Sequence, residues 1–343
     1  MATIRQVAKK ADVSIATVSR VLNNTSSVSD EIKMKVHAVI NQLGYVSSVG
    51  RRPTSNIGLV YTGPTSPGSP YDAALFEGIN KAMVDANYDL VVLNLQRDKK
   101  PNESYTQFFL RKAIRGVVLR TTSRTRHICT AIAGEGFPSI VVGDHFDEPN
   151  VNYLYGDSRQ TSYQAIEHLI TLGHRRITIA ISAIEDSDHT DRLEGYKQAL
   201  AEHDIEIDPK LIHRIPAQRP DGAQVIRKLM GMAAPPTAVF VTDPNVAVGT
   251  INQAHRMGIR IPEDLSILGF DDTDVRNNTY PQMTAICQDA QQLGYEAFMA
   301  IVQKLSGSNS HQVRRTLPTW LEFHDTTGKP PVSLSASYLM VTE

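Results

Sequence analysis

Residues 3–22 read Thr3-Ile4-Arg5-Gln6-Val7-Ala8-Lys9-Lys10-Ala11-Asp12-Val13-Ser14-Ile15-Ala16-Thr17-Val18-Ser19-Arg20-Val21-Leu22, and the spacing in this stretch decides the fold of the N-terminal end. Thr3 is placed to cap a helix beginning at Ile4, with Gln6 where a capping-box partner belongs. Ile4, Val7, Ala8 and Ala11 then recur at helical spacing and make one apolar face. Asp12 and Val13 turn the chain, and Ser14 caps a second helix running to Asn23. Val18, Val21 and Leu22 form its buried face, while Ile15, Ala16, Ser19 and Arg20 point elsewhere. Ser29 caps a third helix with Asp30 and Glu31 in its positive first turn, and Ile32, Val36, Val39, Ile40 and Leu43 supply its core stripe up to a C-terminal cap at Gly44. Three short helices, the first two joined by a tight turn, make a helix-turn-helix.

Charge separates this segment from the rest. Residues 1–56 carry eight basic side chains against three acidic ones, whereas the remainder carries 27 against 33, although the whole chain is close to neutral at −1. A small basic module on a mildly acidic body suits a nucleic-acid-binding head on a sensor. At 343 residues the chain is too long for one core. It has no apolar run of about 18 residues to span a bilayer, and its polar start, with Arg5, Lys9 and Lys10, predicts no secretory signal. Cys129 and Cys287 lack metal-ligand spacing and read as buried small hydrophobes in a reducing cytoplasm.

From Ile57 onward short apolar runs alternate with helical stretches. Strands are predicted at 57–61, 90–93, 116–119 and 139–142, separated by helices near 72–86, 103–113 and 126–135. A second set follows at 177–181, 211–212, 238–241 and 266–270, with helices near 157–172, 191–203, 220–232 and 244–257. Two successive β/α sets predict two parallel-sheet lobes with ligands between the carboxyl ends of their strands. The fold class is therefore an all-α helix-turn-helix headpiece followed by an α/β two-lobed, parallel-sheet domain.

The string over residues 3–45, with its later Val-Ser and Leu-Gly-Tyr, resembles the headpiece of the LacI/GalR family of bacterial repressors. The resemblance continues to about residue 330 through 168–179, 191–200, 235–243, 261–272 and 284–294. It implies that the two-lobed domain is periplasmic-binding-protein-like, and that the chain is a transcriptional regulator, a homodimer, that binds a two-fold-symmetric site on double-stranded operator DNA. A small effector, of sugar or sugar-derivative type, controls it from the inter-lobe cleft. It further implies a headpiece at 1–46, a hinge arm at 47–56, one lobe from 57–155 with 288–317, another from 156–285 with 318–330, and a tail at 331–343. Chain crossings between lobes are implied near 155–157, 284–289 and 317–319. The tail lacks the sustained heptads of a tetramerising coiled coil.

By this resemblance the second helix lies in the major groove. Ile15, Ala16 and Arg20 read base edges there, and Ser14, Thr17, Ser19 and Asn23 touch phosphates. Arginine can grip guanine at two atoms and small apolar groups can meet thymine methyls. Hydroxyls at helix N-termini suit phosphate oxygens, which adds Thr3 and Ser29. The arm departs from the family pattern. Arg52 matches a family arginine, but Gly50 weakens a helix, Pro53 replaces a serine, and Thr54 stands where a leucine wedges into the minor groove. Arg51 and Arg52 are expected to reach the minor groove or backbone as an arm.

Carried over position by position, the effector contacts fall on Thr62, Tyr71, Asp72, Arg120, Asp144, Arg192, Thr242, Asp271 and Gln288. Carboxylates accept from vicinal hydroxyls and a guanidinium donates to two at once, which suits a polyol; Tyr71 could stack on a sugar face. Each residue singly could instead serve a solvated loop or an inter-lobe salt bridge. Two features fall outside the ordinary pattern: a Pro- and Gly-rich lip at 63–70, and the acidic stretch at 185–192. In the latter, Asp188 and His189 are candidates for direct ligand contact, with a metal site at Asp186, Asp188, His189 and Asp191 the weaker reading. Arg120, followed by Arg124 and Arg126, hints at an anionic group on the ligand. No cofactor is expected. Without a GxSxG, a P-loop or a dinucleotide GxGxxG, the sequence does not read as an enzyme. The competing reading is a solute-binding sensor of the same body fold without specific operator binding.

Overall fold

The computed structural model describes residues 3–22, 28–43, 55–63, 68–216, 219–308 and 311–332. The hinge segment 46–54, with Arg51 and Arg52, lies outside these residues, as do Asn23, Gly44, the middle of the 63–70 lip and all but the start of the tail. The chain divides into two compact units, Met1–Asn56 with Lys99–Arg115, and Ile57–Asp98 with Gly116–Glu343.

The first unit holds α1 (Ile4–Ala11), α2 (Ile15–Leu22) and α3 (Asp30–Leu43). The capping box forms as the residues require: Thr3 Oγ1 accepts the Gln6 N–H and the Gln6 side chain accepts the Thr3 N–H at 2.7 Å. Asp12, at φ 51°, ends α1 in the left-handed region, a conformation that Asp tolerates. Its turn brings Ser14 to accept the Thr17 N–H at 3.0 Å and start α2. Val7, Ala8, Ala11, Val18, Val21, Val28, Val36, Val39 and Ile40 are buried together, so the three helices close on one small core.

The second unit is an α/β body. Strands β1 (Asn56–Tyr61), β2 (Asp89–Asn94), β3 (Gly116–Arg120), β4 (Ser139–Val142) and β5 (Tyr153–Asp157) form one set, in the order β2-β1-β3-β4-β5. The second set is β10-β9-β8-β6-β7, from β6 (Ile177–Ser182), β7 (Ile212–Ile215), β8 (Ala238–Val241), β9 (Ser266–Asp271) and β10 (Ala285–Gln288). Strands β1-β3-β4-β5 and β10-β9-β8-β6-β7 pair in parallel. One long strand, β11 (Arg314–Glu322), joins the two. It runs parallel to β5 over 314–318 and antiparallel to β10 over 319–322, changing partner after Pro318.

Helices cover the sheets in pairs: α4 (Pro70–Ala86) with α12 (Ala290–Ser306), α8 (Arg159–Thr171) with α9 (Ser187–Glu202), and α10 (Arg219–Met230) with α11 (Pro244–Arg256). Short α5 (Leu95–Asp98) and α7 (Arg126–Gly134) complete the body, while α6 (Tyr105–Arg111) lies in the 99–115 segment that belongs to the first unit. Every pair meets through glycine. A Cβ on Gly78 would fall inside the Gln291 carbonyl, on Gly294 against the Leu75 carbonyl, on Gly195 against that of Arg159, and on Gly222 against that of Val246. Backbones therefore touch directly, which aligns α4 and α9 so that their first turns stand beside the strand ends.

Candidate functional site

In the headpiece, the outward side of α2 presents Ile15, 46 % exposed, with Ala16 and Arg20 also exposed, while Val18 and Val21 are buried beneath. Thr17 and Ser19 are half-buried, and Ser14, Thr3 and Ser29 are exposed. An exposed isoleucine at the start of a helix costs hydrophobic free energy unless a partner covers it. Helix α2 is thus firmly seated on one side and offers a mixed apolar and cationic strip on the other.

In the body, polar residues collect at the carboxyl ends of both strand sets. Asp72, in the first turn of α4 behind its Ser69 cap, accepts from Ser69 at 2.6 Å, from Tyr61 Oη at 3.3 Å and from Arg120 Nε at 3.0 Å. Arg120 also lies over the Tyr71 ring, 4.3 Å from its centroid. Asp144 accepts from Arg126, from Ser187 and from the His145 N–H. Ser187 belongs to the second set, so this carboxylate ties one side of the cleft to the other. Tyr155 donates to Asp191, and the Ser123 N–H donates to the Glu185 carbonyl at 2.9 Å. Gly143, at φ 73°, sits at the centre: a Cβ there would lie 2.5 Å from Arg120 Nη1, 3.0 Å from Tyr71 Oη and 3.4 Å from Asp188 Oδ2. The geometry requires glycine at this point.

The acidic stretch at 185–192 is the start of α9 and not an open loop. Asp186 caps the helix, accepting the His189 N–H at 2.8 Å and pairing with its ring at 2.7 Å. Burial opposes the charge of Asp186, but His189 and Arg192 outweigh it and hold the carboxyl down at about 2. Asp188 and Arg192 are both buried on the inner side. Arg192 lies flat on the Phe270 ring at 3.5 Å and donates to the Thr242 carbonyl at 2.9 Å. Burial drives Asp188 well above the usual carboxylate range, against the pull of Arg192. Among the described residues no group of His, Cys, Asp and Glu is arranged to hold a metal ion.

Several expected residues are engaged elsewhere. Thr62 Oγ1 is hydrogen-bonded within a knot of threonines, with Thr121 Oγ1 at 3.0 Å and Thr125 Oγ1 at 2.8 Å. Thr242 donates to the Ala180 carbonyl at 3.3 Å. Asp271 accepts from the Thr273 N–H, the Arg276 N–H and the Arg276 guanidinium, each at 3.0 Å. The carboxyl facing the cleft is its neighbour Asp272, to which Gln288 donates. Strand parity explains the difference: residues two apart share a face, so Asp272 follows Phe270 toward Arg192 while Asp271 turns away. Tyr71, Asp72, Arg120, Asp144, Asp188 and Arg192 are brought together, and His189 stands behind them on Asp186. Sequence reasoning passed over Asp272, Gly143, Ser187, Tyr155 and Phe270.

Burial pushes Asp272 up to about 6, only partly offset by Arg192 and the Gln288 hydrogen bond. Between the ordinary carboxylate value and 6, the unfolded chain has lost this proton while the folded chain keeps it. Stability therefore falls as pH rises through that window, by about 2–3 kcal/mol in all. Asp272→Asn, which cannot ionise, is expected to raise the melting temperature at pH 8 and flatten its decline between about pH 4 and 7. Melting curves across that range check this; an unchanged decline would mean that Asp272 does not titrate there.

Residues 3–48 match the family described as bacterial regulatory proteins, lacI family, and residues 166–327 match the periplasmic binding protein-like domain. The ribose operon repressor of Haemophilus influenzae is 32% identical over 316 residues, 91% of this chain and 94% of the relative. The transcriptional repressor CytR of Escherichia coli is 29% identical, over 90% and 91% of the two chains. Among solved structures, the regulator CelR in complex with cellobiose is 26% identical with a TM-score of 0.68, covering 95% of this chain and all of its own. The operator-bound lac repressor dimer, at 23% identity and a TM-score of 0.68 over 95% and 99% of the chains, shares the fold.

Proposed function

Since the chain belongs to the lacI family of bacterial regulatory proteins, we propose that this DNA-binding transcriptional regulator is a repressor that reads a two-fold-symmetric operator as a homodimer. Its effector is a sugar-like molecule held between the strand ends of the body. The observation that carries the effector reading is the convergence of Tyr71, Arg120 and Asp188 on Gly143, with the cross-cleft ties from Asp144 to Ser187 and Tyr155 to Asp191. A ligand that binds only the closed arrangement shifts the population toward it, and linkage passes the difference to the DNA-binding end. Residues 1–46 are the reading head, 47–56 the arm, 57–155 with 288–317 and 156–285 with 318–330 the two lobes, and 331–343 a tail. The protein works in the bacterial cytoplasm, and its cleft binds without catalysing. Turnover of a bound sugar, lost in Asp188→Asn, would overturn that last point. Among the described residues no helix is long and apolar enough to cross a membrane.

In the headpiece, Ile15, Ala16 and Arg20 are the base-reading residues, with Thr3, Ser14, Thr17, Ser19, Asn23 and Ser29 at the phosphates and Arg51 and Arg52 on the arm. Arg20→Ala is expected to weaken operator binding by about 1–3 kcal/mol and to relax specificity at one base per half-site. Anisotropy titrations against single-base operator variants measure both. An equal loss on every sequence would make Arg20 a phosphate contact only.

A further inference from the structure

The charges at the cleft do not balance. Asp72 is answered by Arg120 and Asp144 by Arg126, and Asp186 is hydrogen-bonded to the His189 N–H and ring. That leaves two buried carboxyls, Asp188 and Asp272; Arg192 acts on both, and Arg120 also draws on Asp188. Arg192 forms no ion pair with either; its guanidinium is spent on the Phe270 ring and the Thr242 carbonyl. Asp272 at least accepts from Gln288, whereas Asp188 Oδ1 has no partner at all.

The unpartnered buried atoms around Gly143 carry the second observation. Tyr71 Oη, Asp144 Oδ2 and Asp188 Oδ1 are buried without a hydrogen bond, in residues that are 7 %, 1 % and 6 % exposed. All three are oxygens, and two belong to carboxyl groups. Arg192 Nε is an unpartnered donor and the Tyr71 hydroxyl can donate as well as accept, so the unmatched acceptors proper are the carboxyl oxygens of Asp144 and Asp188. Leaving such groups unmatched is costly, and more so for charged ones. A site of this kind asks for donors, and for positive charge. Nor does Arg120 invite an anion: Asp72 takes its Nε, and its flat face covers Tyr71. The arginine that in the sequence hinted at an anionic ligand is already neutralised. A metal ion is not indicated either, since the described residues hold no suitable cluster of ligands.

We propose that the effector carries one positively charged nitrogen, as in an amino sugar or an aminated polyol, and that its ammonium group is received by Asp188 with Tyr71 and Asp144 beside it. An ammonium offers three N–H donors and a positive charge, which suits a buried carboxyl with an unmatched oxygen and favours its ionised form. The remaining hydroxyls of the sugar face Arg192 Nε. This inference rests on reading the cleft as the effector site.

The test uses the full-length protein and matched pairs differing by one amino group: D-glucosamine and D-glucose, D-galactosamine and D-galactose, glucamine and sorbitol. D-glucuronate is the anionic control. Thermal shift and calorimetry at pH 7 are expected to show binding by an aminated member about tenfold or more tighter than its hydroxyl partner. Asp188→Asn, nearly isosteric, should erase that preference, with its own melting curve reporting that it folds. Equal or tighter binding of the neutral member, tight binding of glucuronate, or an unchanged preference in Asp188→Asn would overturn the proposal while leaving the effector cleft in place. Silence from every pair would instead remove the sugar-like effector itself, and the proposal with it.

Discussion

Arg192→Ala is expected to abolish the effector response while leaving operator recognition intact. Arg192 is buried, covers Phe270 at 3.5 Å, and is the cation between Asp188 and Asp272. Removing it takes away the Phe270 cover and the positive charge that favours ionisation of both buried carboxyls, which destabilises the body at neutral and higher pH. The loss has a definite pH dependence. Without the guanidinium both carboxyls hold their protons to still higher pH, so the variant should be closest to the parent near pH 5–6 and weakest near pH 8. Operator binding is therefore best compared at pH 6, where the body stays folded. The readout is the effector-induced change in melting temperature and in operator affinity. A normal response from Arg192→Ala would remove this residue from the ligand site.

Gly294→Ala is expected to cost about 3 kcal/mol of stability, although it changes one hydrogen into a methyl and normally favours a helix. The new carbon would meet the Leu75 carbonyl across the α4–α12 contact, where backbone faces backbone and no side chain can swing away. The helices must separate, and Tyr71 and Asp72 in the first turn of α4 would move with them. Gly134→Ala is the control: it lies in α7 with nothing within 4 Å of a built Cβ, so it should be neutral or stabilising by about 0.4–1 kcal/mol. Chemical denaturation of the two variants separates overpacking from propensity. Equal stabilities would show that the α4–α12 contact yields more readily than its geometry implies.

The headpiece was legible almost residue by residue, because capping and helical periodicity act locally. Thr3, Gln6 and Ser14 cap where the sequence says they should. The apolar strands of the body were equally plain. What escaped was β5, β10 and β11, the segments that knit the two strand sets together. Strand β11 reads Arg-Arg-Thr-Leu-Pro-Thr-Trp-Leu-Glu, without an apolar run, because it changes partner midway and is largely uncovered. Only the family resemblance placed the crossings near it.

At the cleft the residue types were readable but their directions were not. Asp271 and Asp272 are adjacent acids at a strand end, and the choice between them depends on the face that Phe270 occupies. Asp188 falls before the helix predicted near 191–203 because the true start at Ser187 depends on the Asp186 cap, one acid among several in that stretch. The demand for glycine at position 143 arises from Arg120 and Asp188, residues 23 and 45 positions away in the chain, and no local pattern encodes it.

The central claim is that this chain reads DNA sequence through α2. Selection of the full-length protein against random duplex DNA tests it most directly, with affinities then measured over a salt series. The account predicts enrichment of one two-fold-symmetric sequence, bound at least about 10³-fold tighter than unrelated duplex, with both affinities falling as salt rises. Failure to enrich any sequence, with selected and random duplexes bound alike, would contradict it.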